Sequence, residues 1–298
     1  MYAAATDEFV MPANKWWPRD HQMRLWNYLQ SGGDRAVAIW HRRAGKDEIC
    51  LHHAAMSALR RVGNYWHALP EYNQCRKAIW TAINAHTGKR RIDEAFPPEI
   101  RANTVDNEMF IRLHNGSTWQ CIGSDRYGTA ALGAGPAGIT YSEYATANPS
   151  AWAYHRPMLQ EKQGMGGFYY HPRGHNHAKS IVEYAQRTKG WFAEVLTAEQ
   201  TGALTPAELA EALSEYQSLY GLDMGTAAYE QEYLCSFSAA VVGAYYAREM
   251  AEVRNEGRIT EAAGRAASCA GAPRLGSRRR QRYQHLVVSN ARRAARHP

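Results

Sequence analysis

The chain has 298 residues, 45% of them hydrophobic and 11% aromatic, and a formal net charge of +7; this suits a globular chain with room for one large domain and an appendage. No apolar run approaches the roughly 20 residues of a membrane span, and the five scattered cysteines (Cys50, Cys75, Cys121, Cys235, Cys269) form no C-x-x-C pair, so no membrane association, disulfide framework or zinc site is expected and the chain reads as cytosolic. Nine of the 35 bases are arginines beyond Glu261, which leaves 26 bases against 28 acids elsewhere; the basic excess belongs to the tail, and the body has no polyanion-binding signature overall.

Residues 36–40 (AVAIW) form an unbroken apolar run, the pattern of a strand buried on both faces of a parallel sheet. From Lys46 to Arg60, Ile49, Leu51, Ala54, Ala55, Ala58 and Leu59 recur at helical spacing and predict a helix. A strand at 65–69 leads to a helix near 71–84. Segments 109–113 and 117–122 flank Asn115-Gly116, the strongest short hairpin signal. A Gly-rich loop at 123–136 precedes a strand at 137–142, a helix near 150–162, a strand at 167–171, a helix near 176–187 and a strand at 191–196. Thr205, followed by Pro206 and by Glu208 three residues on, reads as a capping box opening a helix that runs to about Tyr220. No internal repeat is present. Strands alternating with helices predict an α/β fold whose central sheet is mostly parallel and flanked by helices.

A phosphate-binding loop needs a strand ending in a tight turn, backbone N–H groups facing the phosphates, a lysine for the β and γ oxygens, and a helix N-terminus behind. The stretch AVAIW-HRRAGK-DEICLHHAA supplies each part, with Arg42, Arg43, Ala44 and Gly45 in the turn and Lys46 as the candidate phosphate lysine. Against the pattern G-x-x-x-x-G-K-[ST], Trp40 stands at the first glycine and Asp47 at the hydroxyl. A solvated basic turn before a helix is the competing reading. The second segment, GAGPAGITYSEYA at 133–145, is a short apolar strand ending in an acid, where such ATPases keep their magnesium-holding and water-orienting groups. Glu143 is the candidate to orient the attacking water, and Ser142 stands where an acid is usual. The two departures are complementary, a carboxylate gained at Asp47 and a hydroxyl at Ser142. The pair is expected to exchange roles and offer Mg²⁺ one carboxylate and one hydroxyl, directly or through water.

With these segments placed, the chain resembles, over about 16–259, the large terminase subunit of tailed bacteriophages, the ATPase that packages DNA. The phrases that carry the resemblance are, in order, WWPRDHQMRLW, WHRRAGKD, ALPEYNQCRKAIW, IDEAFP, NGST, GSDR, GAGPAGITYSEYATANPSAW, RPML, HPRGHNH and YEQEYLCSF. It implies a RecA-like P-loop ATPase domain of the ASCE type over 1–260, acting on ATP with Mg²⁺. Within it would lie an adenine-motif region (16–30), the phosphate loop (40–47), the acidic strand end (137–143) and a coupling motif (168–177). The resemblance implies adenine reading by Gln22 with Arg19, γ-phosphate sensing in cis by Arg42 or Arg43, and Glu143 as the catalytic carboxylate. It implies relay of hydrolysis to movement through His171, Arg173 and Asn176. The family usually has Thr or Ser before PRG, and His171 stands there instead; an imidazole also donates hydrogen bonds. Arg126 in GSDR is a candidate arginine finger for a neighbouring subunit, with a plain loop arginine as the alternative. His171, His175 and His177 match no strong zinc spacing, and Trp16, Trp17, Trp80 and Trp191 are expected in packing rather than base stacking.

The implied activity is ATP hydrolysis that drives double-stranded viral DNA into a procapsid in the host cytoplasm. The implied partners are the DNA backbone, the portal protein, the small terminase subunit and further copies of the chain in a homo-oligomeric ring. Two alternatives are an ATPase-inactive remnant that only binds portal or small-subunit partners, and a helicase-type ATPase, which would need a second RecA-like domain. The family continues into a ribonuclease-H-like nuclease domain that holds metals with aspartates. No Asp or Glu follows Glu261, so nuclease activity is not expected of this sequence. Residues 261–298, rich in Arg and Ala, are expected to stay outside the family fold and disordered, as a basic arm on phosphates or the product of a reading-frame change.

Overall fold

A computed structural model describes residues 11–130 and 135–237, which fall within one unit spanning Met1–Ala239. The expected boundary at 260/261 and the Arg/Ala-rich tail lie outside the described residues. The strands are β1 (Arg35–Trp40), β2 (Asn64–Leu69), β3 (Arg101–Val105), β4 (Phe110–Leu113), β5 (Thr118–Gly123), β6 (Gly138–Ser142), β7 (Met165–Tyr170) and β8 (Phe192–Leu196). They form one sheet in the order β3-β4-β5-β2-β6-β7-β1-β8. From β5 to β8 every neighbouring pair is parallel, and β4 and β3 extend the β5 edge as antiparallel strands. The predicted α/β architecture with a mostly parallel sheet is therefore the observed one.

The main helices are α1 (Met23–Gln30) and α2 (Lys46–Arg60), then the short α3 (Tyr72–Cys75), α4 (Arg91–Ala95) and α5 (Tyr127–Ala130), then α6 (Pro149–Lys162) and α7 (His177–Arg187). The short α8 (Ala198–Thr201), α9 (Pro206–Tyr220) and α10 (Leu222–Leu234) follow. All six residues of β1 are buried, because helices cover both faces of the sheet. Val37 and Ile39 join Ile139, Tyr141, Phe168 and Tyr170 against Leu159 of α6 and Ile181 and Val182 of α7. Ala36, Ala38 and Trp40 face the opposite way, onto Leu25 and Trp26 of α1 and Ile49 of α2. This is the two-residue alternation of a strand read between two helical layers. The capping box at Thr205 forms as expected, with Glu208 accepting from the Thr205 N–H at 2.7 Å.

Three elements depart from expectation. The helix expected near 71–84 ends early: after α3 the chain makes one π-helical turn over Arg76–Trp80, and Thr81 closes it on the Arg76 carbonyl at 2.8 Å. The turn leaves both Ile79 and Trp80 buried. Strand β3 has the sequence RANTV, with no apolar alternation to announce it; it is an edge strand paired, among the described residues, only with β4. Helix α10 is unannounced as well, since LDMGTAAYEQEYL carries almost no amphipathic pattern; it is held by packing against α9, where Gly225 lets the Tyr216 carbonyl approach to 2.3 Å of a hypothetical Cβ.

On the core-facing side of α2, His52 stacks on Trp16 with ring centroids 4.1 Å apart, and His53 lies beside Trp26. Burial pushes His52 down to about 3; burial, with a smaller push from Arg60, takes His53 to about 4. Unfolded imidazoles take up a proton below about 6.5, whereas these stay neutral in the fold until pH nears 4. Their contribution is therefore complete above pH 6.5 and is lost as pH falls towards 4. Each should withdraw about 2 kcal/mol by pH 5, and urea unfolding of His52→Phe should show a correspondingly flatter pH profile; identical profiles in parent and variant would refute this.

Candidate nucleotide site

Strand β1 ends at Trp40, and the chain turns through His41–Gly45 before α2 begins at Lys46. Two left-handed residues make the turn, Arg43 with φ of 64° and Gly45 with φ of 80°. A side chain at Gly45 would also meet the Gln22 amide at 2.6 Å, so glycine is required there on two counts. Trp40, at the position of the usual first glycine, turns its ring into the core, where it is fully buried and donates to Glu194 Oε2 at 3.1 Å. Its side chain thus points away from the turn and does not obstruct it. Lys46 is 7% exposed, and its ammonium donates to the Trp40 and His41 carbonyls at 2.9 and 3.1 Å. Burial lowers its pKa, opposed by the nearby carboxylates of Glu143 and Asp47.

The two complementary departures meet in space. Ser142 Oγ, at the end of β6, donates to Asp47 Oδ1 at 2.5 Å, and His67 Nε2 from β2 lies 3.5 Å from the same oxygen. Burial alone would raise the Asp47 pKa, but His67, Ser142 and Lys46 outweigh it and hold the carboxyl below its ordinary value. Asp47 keeps 28% of its side-chain surface exposed. An ionised carboxylate and a hydroxyl converging in this way fit Mg²⁺, which takes one or two protein oxygens and completes its shell with phosphate and water. His67 is a site residue that sequence reasoning misses; its only signal is a polar side chain within the otherwise apolar, buried run YWHAL.

Glu143 follows directly on Ser142 in a left-handed conformation, φ 54°, that a non-glycine residue seldom adopts. Its Oε2 lies 2.9 Å from Nδ1 of His171, the first residue beyond β7. The other ring nitrogen, Nε2, is 3.0 Å from the Arg42 guanidinium. Arg42 in turn is ion-paired through Nε to Glu232 Oε2 of α10, and Arg173 Nη1 meets Glu232 Oε1 at 3.3 Å. Burial would raise the Glu232 pKa, yet the guanidinium of Arg42, with that of Arg173, brings it below the usual value. Glu232 is the second residue that sequence reasoning misses; it sits inside the phrase YEQEYLCSF without a motif to mark it.

The remaining candidates take more local roles. Gln22 is fully buried, with its amide donating to the Ala44 and Gly45 carbonyls at 3.0 and 3.2 Å and accepting from the Arg19 N–H at 2.9 Å. Arg19 pairs with Glu48 at 3.2 Å. Asn176 caps α7 by accepting from Ala178 N and donates to the Ala145 carbonyl at 2.8 Å, fastening the segment after β7 to the turn after Glu143. The three histidines diverge, His175 towards Lys179 and His177 towards the Tyr144 carbonyl. Arg126 follows β5, with Asp125 at 3.7 Å and the Tyr72 ring beneath its guanidinium. Four strand spacings, about 19 Å, separate β5 from β1 in the sheet. Of the tryptophans expected in packing, Trp16 and Trp80 do pack, but Trp17 is 69% exposed. A groove of about 570 Å³ beside Tyr144, Trp152, Arg156 and Trp191 lies between α6 and α7, apart from the turn that holds Lys46.

No protein-family model matches the sequence, and no curated protein does. Solved structures do. The large terminase ATPase domain of Thermus phage P74-26 superposes with a TM-score of 0.54 at 19% identity, covering 75% of this chain and 100% of that one. The large terminase from a second thermophilic bacteriophage, in complex with ADP, gives 0.54 at 16% identity, and its complex with ATP-γ-S gives 0.55 at 15%. Each covers 74% of this chain, which spans about half of that large terminase chain (53% and 52%). The chain thus has the RecA-like fold of the large terminase ATPase domains.

The Gln22 amide closes the turn from inside. Gln22→Ala should strip one donor each from the Ala44 and Gly45 carbonyls, which keep His21 Nε2 and the Ile49 N–H, and leave the Arg19 N–H without its acceptor. Stability should fall by about 1–3 kcal/mol in urea unfolding, with faster hydrogen exchange at Gly45 and Lys46. Stability and exchange equal to the parent would show that the amide does not hold the loop.

Proposed function

We propose that this chain is a Mg²⁺-dependent ATPase, the motor domain of a terminase large subunit that drives double-stranded DNA into a viral procapsid. The observation that carries the reading is the meeting, at one end of the parallel sheet, of a lysine-bearing turn, the Asp47–Ser142 contact of 2.5 Å and Glu143. Such an edge is where open α/β sheets bind ligands. In this reading the backbone from Ala44 to Asp47 and the N-terminus of α2 receive the phosphates, and Lys46 exchanges its two loop carbonyls for phosphate oxygens. Asp47 and Ser142 would hold the magnesium ion, which would supply positive charge to the phosphates. Glu143 takes a proton from, or orients, the attacking water, and Arg42 or Arg43 meets the charge that develops on the γ-phosphoryl group.

The adenine-reading role of Gln22 requires its present hydrogen bonds to the loop to open, whereas Arg19, half exposed, needs no such change. Arg126, far along the sheet from β1, suits action on a neighbouring subunit in a ring rather than on its own nucleotide. Double-stranded DNA would be contacted through its phosphates. The portal protein and the small terminase subunit are the proposed partners, and the host cytoplasm is the proposed place of action.

ATP hydrolysis by the full chain, with and without double-stranded DNA, tests the reading. Lys46→Ala and Glu143→Gln should each lower kcat by about a hundredfold or more. Asp47→Ala should raise the Mg²⁺ concentration needed for half-maximal rate. A parent rate no higher than that of Lys46→Ala would overturn the ATPase assignment, and a magnesium dependence within about twofold of the parent after Asp47→Ala would overturn the metal role alone.

A further inference from the structure

His171 stands where the resemblance leads one to expect a hydroxyl, and it is 2% exposed. Nδ1 faces the Glu143 carboxylate, while the nearest group to Nε2 is the Arg42 guanidinium at 3.0 Å, with Glu232 Oε2 further off at 3.9 Å. The Arg42 guanidinium, 3.0 Å from Nε2, has only N–H groups to offer, so Nε2 accepts. In the neutral ring the proton then resides on Nδ1, which faces Glu143 Oε2 at 2.9 Å, off the line of an ideal hydrogen bond. A small rotation of the Glu143 carboxylate, which is 37% exposed, completes that bond. The ring itself has little freedom, being enclosed at the end of β7. Glu143 meanwhile depends on outside contacts, because its left-handed backbone is intrinsically unfavourable.

We propose that His171 is a positioning residue for Glu143, holding the carboxylate through an Nδ1–H tautomer that Arg42 selects. The proposal rests on the ATPase reading and deepens it. It assigns to the imidazole a task on the carboxylate rather than on the nucleotide: the same ring that orients the water-directing group is anchored to the arginine proposed to meet the γ-phosphate. When Arg42 turns to phosphate, Nε2 loses its donor, so the orientation of Glu143 becomes sensitive to what Arg42 binds.

The test separates this from a packing role. With ATP and saturating Mg²⁺, His171→Ala in the full chain should lower kcat roughly ten- to a hundredfold, as displaced catalytic groups do, with KM changed little. His171→Asn, whose amide N–H falls near the Nδ1 position, should recover most of that loss, and His171→Gln, which reaches the Nε2 position, should not. Nitrogen NMR of isotopically labelled histidine reads the tautomer without turnover, and a His171 ring protonated on Nδ1 and perturbed by Glu143→Ala is expected. A kcat unaffected by His171→Ala, rescue by Gln as complete as by Asn, or a ring protonated on Nε2 would each overturn the proposal while leaving the ATPase assignment intact. A parent chain without turnover would overturn both the assignment and the catalytic half of this proposal.

Discussion

Strand β7 lies between β1 and β6 and pairs in parallel with both, Ile39 with Tyr170 on one side and Ser142 with Tyr169 on the other. Parallel neighbours are about 4.8 Å apart, so the chain leaving β1, β7 and β6 emerges as three adjacent exits on one edge. The first carries Arg42 and Lys46, the second His171 and the third Ser142 and Glu143. With β7 in the middle, His171 lies 2.9 Å from Glu143 and 3.0 Å from Arg42 at once. The interaction between these exits is therefore a consequence of strand order.

Within that frame, the departures from the usual phosphate-loop pattern become compatible with one another. Trp40 is acceptable because strand alternation sends its ring into the core beside Ile49, leaving only its backbone at the turn. Asp47 is acceptable because a hydroxyl, not a second carboxylate, faces it. Two carboxylates separated by 2.5 Å without a cation would repel, and one would stay protonated. With Ser142 opposite, Asp47 stays ionised, supported further by His67.

Elements whose stability is local or whose burial is complete were legible in the sequence. The run AVAIW, the helix from Lys46 to Arg60 and the capping box at Thr205 each carry their own signal, and each forms as expected. The Asp47–Ser142 pairing was also legible, because two anomalies in neighbouring motifs compensated each other. Elements formed by tertiary contact were not. RANTV becomes a strand only because β4 offers it an edge, and α10 is helical because Gly225 lets it settle on α9. His67 and Glu232 escape notice for the same reason: their partners are 20 and 190 residues away in the chain, at Asp47 and Arg42.

Glu232 bears on how the site would respond to an anion. Arg42 is bound to one of its oxygens and Arg173 to the other. An arginine held by a half-buried carboxylate is not free to meet phosphate, so the proposed role of Arg42 requires it to exchange one anion for another. Because Arg173 holds the second oxygen, Glu232 would not be left as an unpaired buried charge after the exchange, which removes the largest obstacle to it. The carboxylate belongs to α10, and α10 is fixed to α9 by close backbone packing at Gly225. Any shift of Arg42 towards phosphate therefore alters the restraint on that helical pair, and the same shift removes the donor from His171 Nε2. The arginine is the one side chain common to both consequences, and so the point at which the strand-end chemistry and the C-terminal helices of the described domain meet.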